Sequence, residues 1–319
     1  MQQEEASRFA FESTAEDVAA GVDLRGKLAV VTGASGGLGA ETARVLASRG
    51  ARVVLAARDV AKAERIAARI AADTGSDALE VCAVELGSLP SVRACAEAIR
   101  ARHPAIHLLV NNAGVMACPL ARTEQGFELQ FGTNHLGHFL LSGLLLPALR
   151  AAGGARVVCV SSRGHRFGTV SLDDPNYERR PYEKWEAYGQ AKTANIWHAL
   201  ELDRRERTNG VRAFALHPGA IMTELGRHLT AEDIETLRAR AGTGGMKWKT
   251  PQQGAATQVW AATAPELEGR GGLYLEDCHV AGPQPADMSA TGYAPWALDA
   301  DGAAKLWALS EQLVGAQLG

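Results

Sequence analysis

A glycine-rich turn from Thr32 to Gly39 (TGASGGLG) joins an apolar, strand-like segment to a helix-like segment near the start of the chain. The preceding residues 28–32 are apolar without polar alternation, which is typical of a parallel strand covered on both faces. Glycines in such a turn permit a tight reversal, close approach of the backbone to an anion and close packing of helix on strand. The turn therefore predicts a strand–turn–helix unit whose helix N-terminus binds a phosphate group.

Strand and helix patterns alternate along most of the chain. Strands are predicted at 28–32, 52–57, 79–83, 108–111, 156–161, 212–216 and 272–274. Helices are predicted at 39–49, 60–72, 89–102, 124–130, 133–152, 182–208 and 251–262. Right-handed crossovers then give an α/β fold, a doubly wound (Rossmann-type) parallel sheet of about seven strands with helices on both faces.

The length of 319 residues, with 46% hydrophobic residues, fits one large domain. We expect an N-terminal extension at 1–22, with Ser13 and Glu16 at capping-box spacing, and a single domain at 23–319. A glycine-rich stretch at 241–250 predicts a mobile substrate loop near 225–250. A final amphipathic helix is predicted at 301–313.

Charge and cysteine content exclude several classes of partner. A net charge of -3 leaves no positive excess for nucleic acid or anionic lipid. The five cysteines are widely spaced and form no CxxC, which favours buried thiols in a reducing compartment. The first 20 residues lack the basic start and apolar run of a signal peptide. We therefore expect a cytoplasmic protein with no membrane partner.

Tyr188 and Lys192 lie four residues apart in AYGQAKTAN. On one helix face, an ammonium next to a phenol stabilises the phenolate and lowers a tyrosine pKa of about 10 by roughly one to three. Such a tyrosine can donate a proton to a carbonyl oxygen and accept one in the reverse direction. The pair predicts a hydride-transfer site in which Tyr188 is the general acid or base.

These motifs resemble the short-chain dehydrogenase/reductase family from about Gly26 to Thr223, together with NNAG at 111–114, VSSRG and GTNHLGHF. The long segment between Ser162 and Tyr188 resembles the branch of retinol dehydrogenases, WW-domain oxidoreductases and protochlorophyllide reductases. The resemblance implies strand order 3-2-1-4-5-6-7 and a serine that hydrogen-bonds the substrate oxygen. It also implies an asparagine that holds a helix kink and a water, although Asn134 alone equally fits a helix N-cap. The implied catalytic residues are Asn134, Ser162, Tyr188 and Lys192.

The resemblance also implies a nicotinamide dinucleotide. At the end of the second strand, where an NAD site would place a carboxylate, the chain has Ala57 followed by Arg58, which favours a 2′-phosphate. We predict NADP(H) as the preferred cofactor and NAD(H) as the alternative; Arg58 would otherwise pair with Asp59 or solvent. The predicted cofactor-binding residues are Gly33, Ser35, Gly36, Gly37, Leu38, Gly39, Arg58, Glu85, Leu86, Asn112, Ala113, Gly114, Tyr188, Lys192, Pro218, Gly219, Ile221 and Thr223.

Several aromatic and apolar side chains near these motifs fit a substrate wall, although core or lid packing fits them equally. The candidate substrate-binding residues are Met116, Ser162, His165, Tyr182, Trp185 and Trp248. His135 and His138 have a spacing usable for a metal but no acidic or cysteine partner set, so we predict helix packing and no metal.

The leading functional prediction is an NADP-dependent oxidoreductase, acting on a carbonyl or secondary alcohol of a bulky apolar substrate such as a steroid, retinoid or aromatic ketone. A carbon–carbon double-bond reductase and a non-catalytic NADP-sensing protein are the alternatives. The family resemblance also implies a homodimer or homotetramer formed through the helices at 133–152 and 182–208.

Overall fold

The centre of the molecule is an eight-stranded sheet in a computed structural model that describes residues 2–227, 229–240, 247–284 and 291–318. The strands of the chain are β1 (Leu28–Thr32), β2 (Arg52–Ala57), β3 (Leu79–Ala83), β4 (Leu108–Asn111), β5 (Ala155–Val160), β6 (Val211–His217), β7 (Ala220–Ile221), β8 (Trp248–Lys249), β9 (Leu273–Glu276) and β10 (His279–Val280). The order in the large sheet is β10-β9-β6-β5-β4-β1-β2-β3. The predicted order is confirmed for the seven parallel strands.

β10 is an antiparallel addition that the sequence patterns did not predict. Asp277 and Cys278 connect it to β9 with left-handed φ values of 45° and 59°. Because the connection is only these two residues, the chain reverses directly and pairs with the strand it has just left. The seventh parallel strand therefore lies one place inside the sheet edge.

Helices cover both faces of the sheet. They are α1 (Ala15–Val18), α2 (Gly37–Ser48), α3 (Val60–Thr74), α4 (Leu89–Arg102), α5 (Leu129–Phe131), α6 (Gly137–Ala151), α7 (Lys184–Glu206), α8 (Ala231–Arg240), α9 (Pro251–Thr263) and α10 (Ala300–Val314). Alternate residues of one strand enter opposite cores: Val53 and Leu55 pack on the side of α2 and α9, and Val54 on the side of α4 and α6. The doubly wound architecture is thus confirmed.

The helix predicted at 124–130 is wrong for its first five residues. The Glu128 carboxylate accepts hydrogen bonds from the amides of Gln130 and Phe131, at 2.9 and 2.7 Å, and so caps a helix that begins after it. The N-terminal capping box is also displaced by one position, because Thr14 and Asp17 form it instead of Ser13 and Glu16.

The two chain termini pack on the domain. The Gln2 amide donates to the carbonyls of Tyr274 and Ala281, which fixes the N-terminal extension to β9 and β10. α10 lies against α7 and buries Trp307, whose ring is 4.9 Å from that of Phe139. α10 therefore occupies part of the helix surface through which subunit pairing was expected, and that pairing stays a prediction.

The segment at 225–250, which is predicted to be a substrate loop, includes regular secondary structure. It contains α8, and Trp248–Lys249 form β8, which pairs in parallel with β7. Residues 241–246, the glycine-rich part of the expected loop, lie outside the described residues. No helix within the described ranges is both long and apolar enough to cross a membrane.

Candidate active site

A continuous cleft of about 2060 Å³ lies where the glycine turn and the ends of the parallel strands meet. Pockets for one small ligand measure about 300–1,000 Å³, so this cleft has room for a dinucleotide together with a substrate. The predicted site residues that line it are Gly33, Ser35, Gly36, Gly37, Leu38, Arg58, Glu85, Leu86, Asn112, Ala113, Gly114, Met116, Ser162, Trp185, Tyr188, Lys192, Pro218, Gly219, Ile221, Thr223 and Trp248. Gly39 and Asn134 lie behind its wall.

The glycine turn has the shape needed to bind a phosphate. Gly33 and Gly37 have φ values of +68° and +54°, which side chains rarely adopt. A Cβ at Gly39 would lie 2.5 Å from the Gly33 carbonyl oxygen, so only glycine permits this contact of helix with turn. No side chain caps α2 at Gly36, and the first helical amides are left for an anion. These features fit the pyrophosphate of a dinucleotide.

Two cations lie at the β2 end of the cleft. Arg58 is largely exposed and donates to Glu85 at 3.4 Å. Asp59 is committed elsewhere, because its carboxylate caps α3 by accepting from the Lys62 amide at 2.9 Å. The Lys62 ammonium forms an ion pair with Glu224 and lies close to Gly36. Lys62 was missed in the sequence, although its place in the first turn of a helix beginning at the strand end was a usable signal.

Tyr188 and Lys192 are both buried on α7 and both line the cleft. The Lys192 ammonium donates to the Val160 carbonyl at 3.0 Å and lies 5.7 Å from the centre of the Tyr188 ring. Asn195 donates to the same carbonyl at 3.1 Å. The strand end thus fixes the direction of the lysine side chain.

The expected lowering of the Tyr188 pKa is not what the structure shows. Burial raises the pKa of Tyr188 to about 12, and the Ser162 hydroxyl offsets only part of that effect. Burial also lowers the pKa of Lys192 to about 8. Desolvation of both groups therefore outweighs the attraction that the four-residue spacing predicted.

Ser162 is brought to Tyr188 by a short helical turn, Arg163–Phe167. The serine hydroxyl accepts from the Gly164 amide at 3.0 Å. A Cβ at Gly164 would lie 2.5 Å from the Tyr188 ring, so the turn can rest on the phenol only with glycine there. The neighbouring Ser161 donates to the Lys192 carbonyl at 2.7 Å, which ties the end of β5 to α7.

Asn134 lies inside a π-helical turn, Gly132–Leu136, between α5 and α6, and is not an N-cap. Its side chain bonds both backbone groups of Val115, at 2.8 and 2.9 Å. The backbone carbonyl of Asn134 accepts a hydrogen bond from the His138 ring at 2.9 Å. The widened turn is the helix irregularity that the resemblance implied, and such turns are frequent at functional sites.

Two of the candidate substrate-binding residues do not line the cleft. His165 is buried away from it, where its ring bonds the Ser162 carbonyl at 2.7 Å and the Ala294 amide at 3.0 Å. The Tyr182 hydroxyl donates to the Cys118 carbonyl at 2.8 Å. Both side chains satisfy buried backbone groups, a role that depends on tertiary contacts invisible in the sequence.

Other predictions made for single residues fit the structure. His135 packs between helices and bonds Ser310 of α10 at 2.8 Å, and His138 on α6 bonds Thr32 at the end of β1 at 2.9 Å. The five cysteines are buried free thiols. Sequence reasoning missed further cleft-lining residues that come from distant segments: Phe11, Arg163, Arg166, Phe167, His217, Leu229, Leu237, Glu276 and Asp277.

Comparison with known proteins gives consistent matches. The profile described as short chain dehydrogenase matches residues 27–234. The chain is 43% identical to the short-chain dehydrogenase/reductase prx1 of Penicillium roqueforti, over 92% of this chain and 86% of that protein. It is 42% identical to retinol dehydrogenase 12 of Homo sapiens, over 92% of this chain and 88% of that protein. A solved structure of a protein from Mycobacterium paratuberculosis aligns with a TM-score of 0.73 and 37% identity, over 94% of this chain and 98% of that one.

Proposed function

The chain belongs to the short-chain dehydrogenase/reductase family, and from this membership we propose an NADP(H)-preferring oxidoreductase that acts on the carbonyl or alcohol group of a bulky, largely apolar substrate. Dependence on a nicotinamide cofactor and action on alcohol or carbonyl groups follow from the family and from its retinol dehydrogenase relatives. The observation that carries the proposal is the meeting of Ser162, Tyr188 and Lys192 in the cleft that the glycine turn opens into.

The chain's own residues supply the proton and the positioning. Ser162 would hydrogen-bond the substrate oxygen, and Tyr188 would donate its proton to that oxygen during reduction. Lys192, held by the Val160 carbonyl, would stabilise the phenolate that remains. Asn134 shapes the cleft wall by fixing Val115. When bound along the glycine turn, the nicotinamide cofactor supplies or accepts the hydride.

The preference for NADP(H) is supported by charge at the β2 end of the cleft. Ala57 leaves no carboxylate where a ribose 2′-hydroxyl would be bound, and Arg58 and Lys62 both line the cleft there. Both cations are paired with acidic side chains, Glu85 and Glu224, which a phosphate would displace. A doubly charged phosphate offers both cations a stronger charge-assisted contact than these exposed pairs give.

An apolar substrate is supported by the other end of the cleft. Trp185 and Tyr188 belong to a small apolar cluster, against which Met116, Phe167 and Leu229 pack. Such a wall fits an extended hydrocarbon or aromatic body next to a single reacting oxygen. The human relative is named for retinol, which is a molecule of that kind.

The test is a panel of ketones and aldehydes, including a retinoid, a steroid and an aromatic ketone, assayed by loss of NADPH absorbance and repeated with NADH. We expect turnover with NADPH and a kcat/KM at least about tenfold lower with NADH. Arg58→Ala should raise the KM for NADPH and leave that for NADH unchanged. Arg25→Ala, which removes an exposed arginine outside the cleft, is the matched control.

The same panel separates the alternatives. An enone reduced at its double bond while saturated ketones are ignored would support the double-bond reductase. NADPH binding with no turnover of any compound would support the sensor. Tyr188→Phe should abolish turnover but keep NADPH binding, and full activity in that variant would refute the proposed chemistry.

A further inference from the structure

Besides its β2 end and its apolar wall, the cleft has a polar end that the proposed chemistry does not use. It is formed where the helical turn after Ser162 meets the ends of β6 and β9, and we define it by Arg163, Arg166, His217 and Glu276, all of which line the cleft. The Arg163 amide donates to the His217 ring at 3.1 Å. His217 pairs with Glu276 in the sheet register. These contacts place the polar end directly beside the catalytic serine.

Arg163 carries a charge that no residue in the described part of the chain neutralises. Its side chain forms no ion pair with any described residue, and its Nε atom is buried without a hydrogen bond. A buried donor left without a partner costs about 1–3 kcal/mol, more when it is charged. Arg166, by contrast, donates to the Gly292 carbonyl. A guanidinium that lines a ligand cleft and has an unsatisfied donor can bind a hydrogen-bond acceptor carried by the ligand.

Glu276, the acidic residue of the polar end, also has an unsatisfied side-chain atom. The residue is only 2% exposed, and its Oε1 atom has no hydrogen-bond partner. Burial raises the pKa of Glu276, because a carboxylate is costly there. The adjacent Asp277 is committed to an ion pair with the buried Lys249. The four residues that define the polar end thus include two guanidinium groups and one carboxyl group whose ionisation burial opposes, so together they carry a net positive charge.

We propose that the polar end binds a carboxylate carried by the substrate, with Arg163 as the residue that binds it and Glu276 as a hydrogen-bonding neighbour. The substrate is then an amphiphile: an apolar body lies against Met116 and Trp185, and an acid group lies beyond Ser162. This inference rests on the proposed function and narrows its substrate class to keto acids and hydroxy acids. Arg163 is suited to the role because its planar fork matches a carboxylate in two-point contact.

The experiment uses benzoylbutyric acid and its methyl ester, which share the ketone and the apolar body and differ in charge. Dissociation constants are measured by calorimetry with the NADP-saturated enzyme, and kcat/KM by NADPH oxidation. We expect the acid to bind and react at least about tenfold better than the ester. Arg163→Ala should remove this preference through a higher KM for the acid, with little change for the ester. Arg163→Lys should retain part of it, because the charge remains without the fork.

Arg227 offers a matched control. It is an exposed arginine that also lines the cleft, and its guanidinium donates to the Glu224 carbonyl at 3.0 Å. Arg227→Ala removes the same charge from the cleft rim and should leave the preference for the acid intact. An equal loss in both variants would mean that only general charge attraction is at work, and would overturn the assignment.

The remaining outcomes are distinct. Acid and ester that bind equally to the wild-type protein would overturn the inference, even if both are reduced. A loss of NADPH affinity in Arg163→Ala as large as the loss for the acid would assign Arg163 to the cofactor and also overturn it. Tight, Arg163-dependent binding of the acid without turnover would support the acid site and contradict the proposed oxidoreductase function.

Discussion

The buried lysine of the active site gives a sharp test of the electrostatic argument. Burial lowers the pKa of Lys192 from its ordinary 10.5 to about 8. The difference corresponds to about 3 kcal/mol of free energy against the charged form, at about 1.4 kcal/mol for each tenfold change in proton affinity. The ammonium is therefore present below about pH 8 and is lost as the pH rises through that value. The protonated form is the one that supports the phenolate of Tyr188.

We expect the reductive kcat/KM for NADPH to fall as the pH rises through about 8. This parameter reports groups of the free enzyme, which is the state that the structure describes. Lys192→Arg should have a lower rate and no fall in that range, because a guanidinium keeps its proton. Lys192→Met should be slow at every pH.

The assay is NADPH oxidation at saturating ketone, with NADPH varied at each pH and protein integrity checked by circular dichroism. Titration of Tyr188, whose pKa burial raises to about 12, would produce a separate fall at much higher pH. A profile that is flat until that higher range, or a fall near 8 that persists in Lys192→Arg, would show that Lys192 is not the titrating group. The reasoning from its burial would then be refuted.

Two further predictions concern stability. Gly39→Ala places a Cβ 2.5 Å from the Gly33 carbonyl oxygen, so it should lower the free energy of unfolding in urea by about 1–3 kcal/mol and weaken NADPH binding. Gly154→Ala is the control, because a Cβ there meets no atom within 4 Å and should change neither quantity. Equal stability of the two variants would contradict the packing argument. His138 has its pKa lowered to about 4, chiefly by burial, so the unfolded chain takes up its proton first and stability falls as the pH drops from about 6.5 to about 4. The slope of unfolding free energy against pH in that window should be shallower for His138→Gln, and an unchanged slope would assign the acid sensitivity to other histidines.

Features repeated locally along the chain were readable from its sequence. The seven parallel strands and the glycine turn follow from short apolar runs and from glycines at fixed offsets, which do not depend on distant contacts. The resemblance then aligned Asn134, Ser162, Tyr188 and Lys192 by motif, and three of these four side chains line the same cleft. The order of strands, which the resemblance implied, was confirmed for the seven parallel strands.

Features that depend on long-range pairing were not readable. The contact that decides the role of His165 is made with a residue 129 positions later in the chain, because its ring accepts a hydrogen bond from the Ala294 amide. β10 exists because two residues adopt left-handed backbone conformations, for which neither Asp277 nor Cys278 gives a strong signal. Arg163 and Glu276 line the same cleft only because β5, β6 and β9 lie side by side in the sheet.

The pKa of Tyr188 shows why a correct motif gave an incorrect electrostatic prediction. The four-residue spacing to Lys192 describes an exposed helix face, where attraction between the groups would dominate. In the folded protein both side chains are buried, and loss of water opposes the charged form of each. At neutral pH the site therefore holds a protonated phenol beside a lysine of pKa about 8. A phenol is the form needed to give a proton to a carbonyl oxygen, so burial favours the protonation state of Tyr188 that reduction uses.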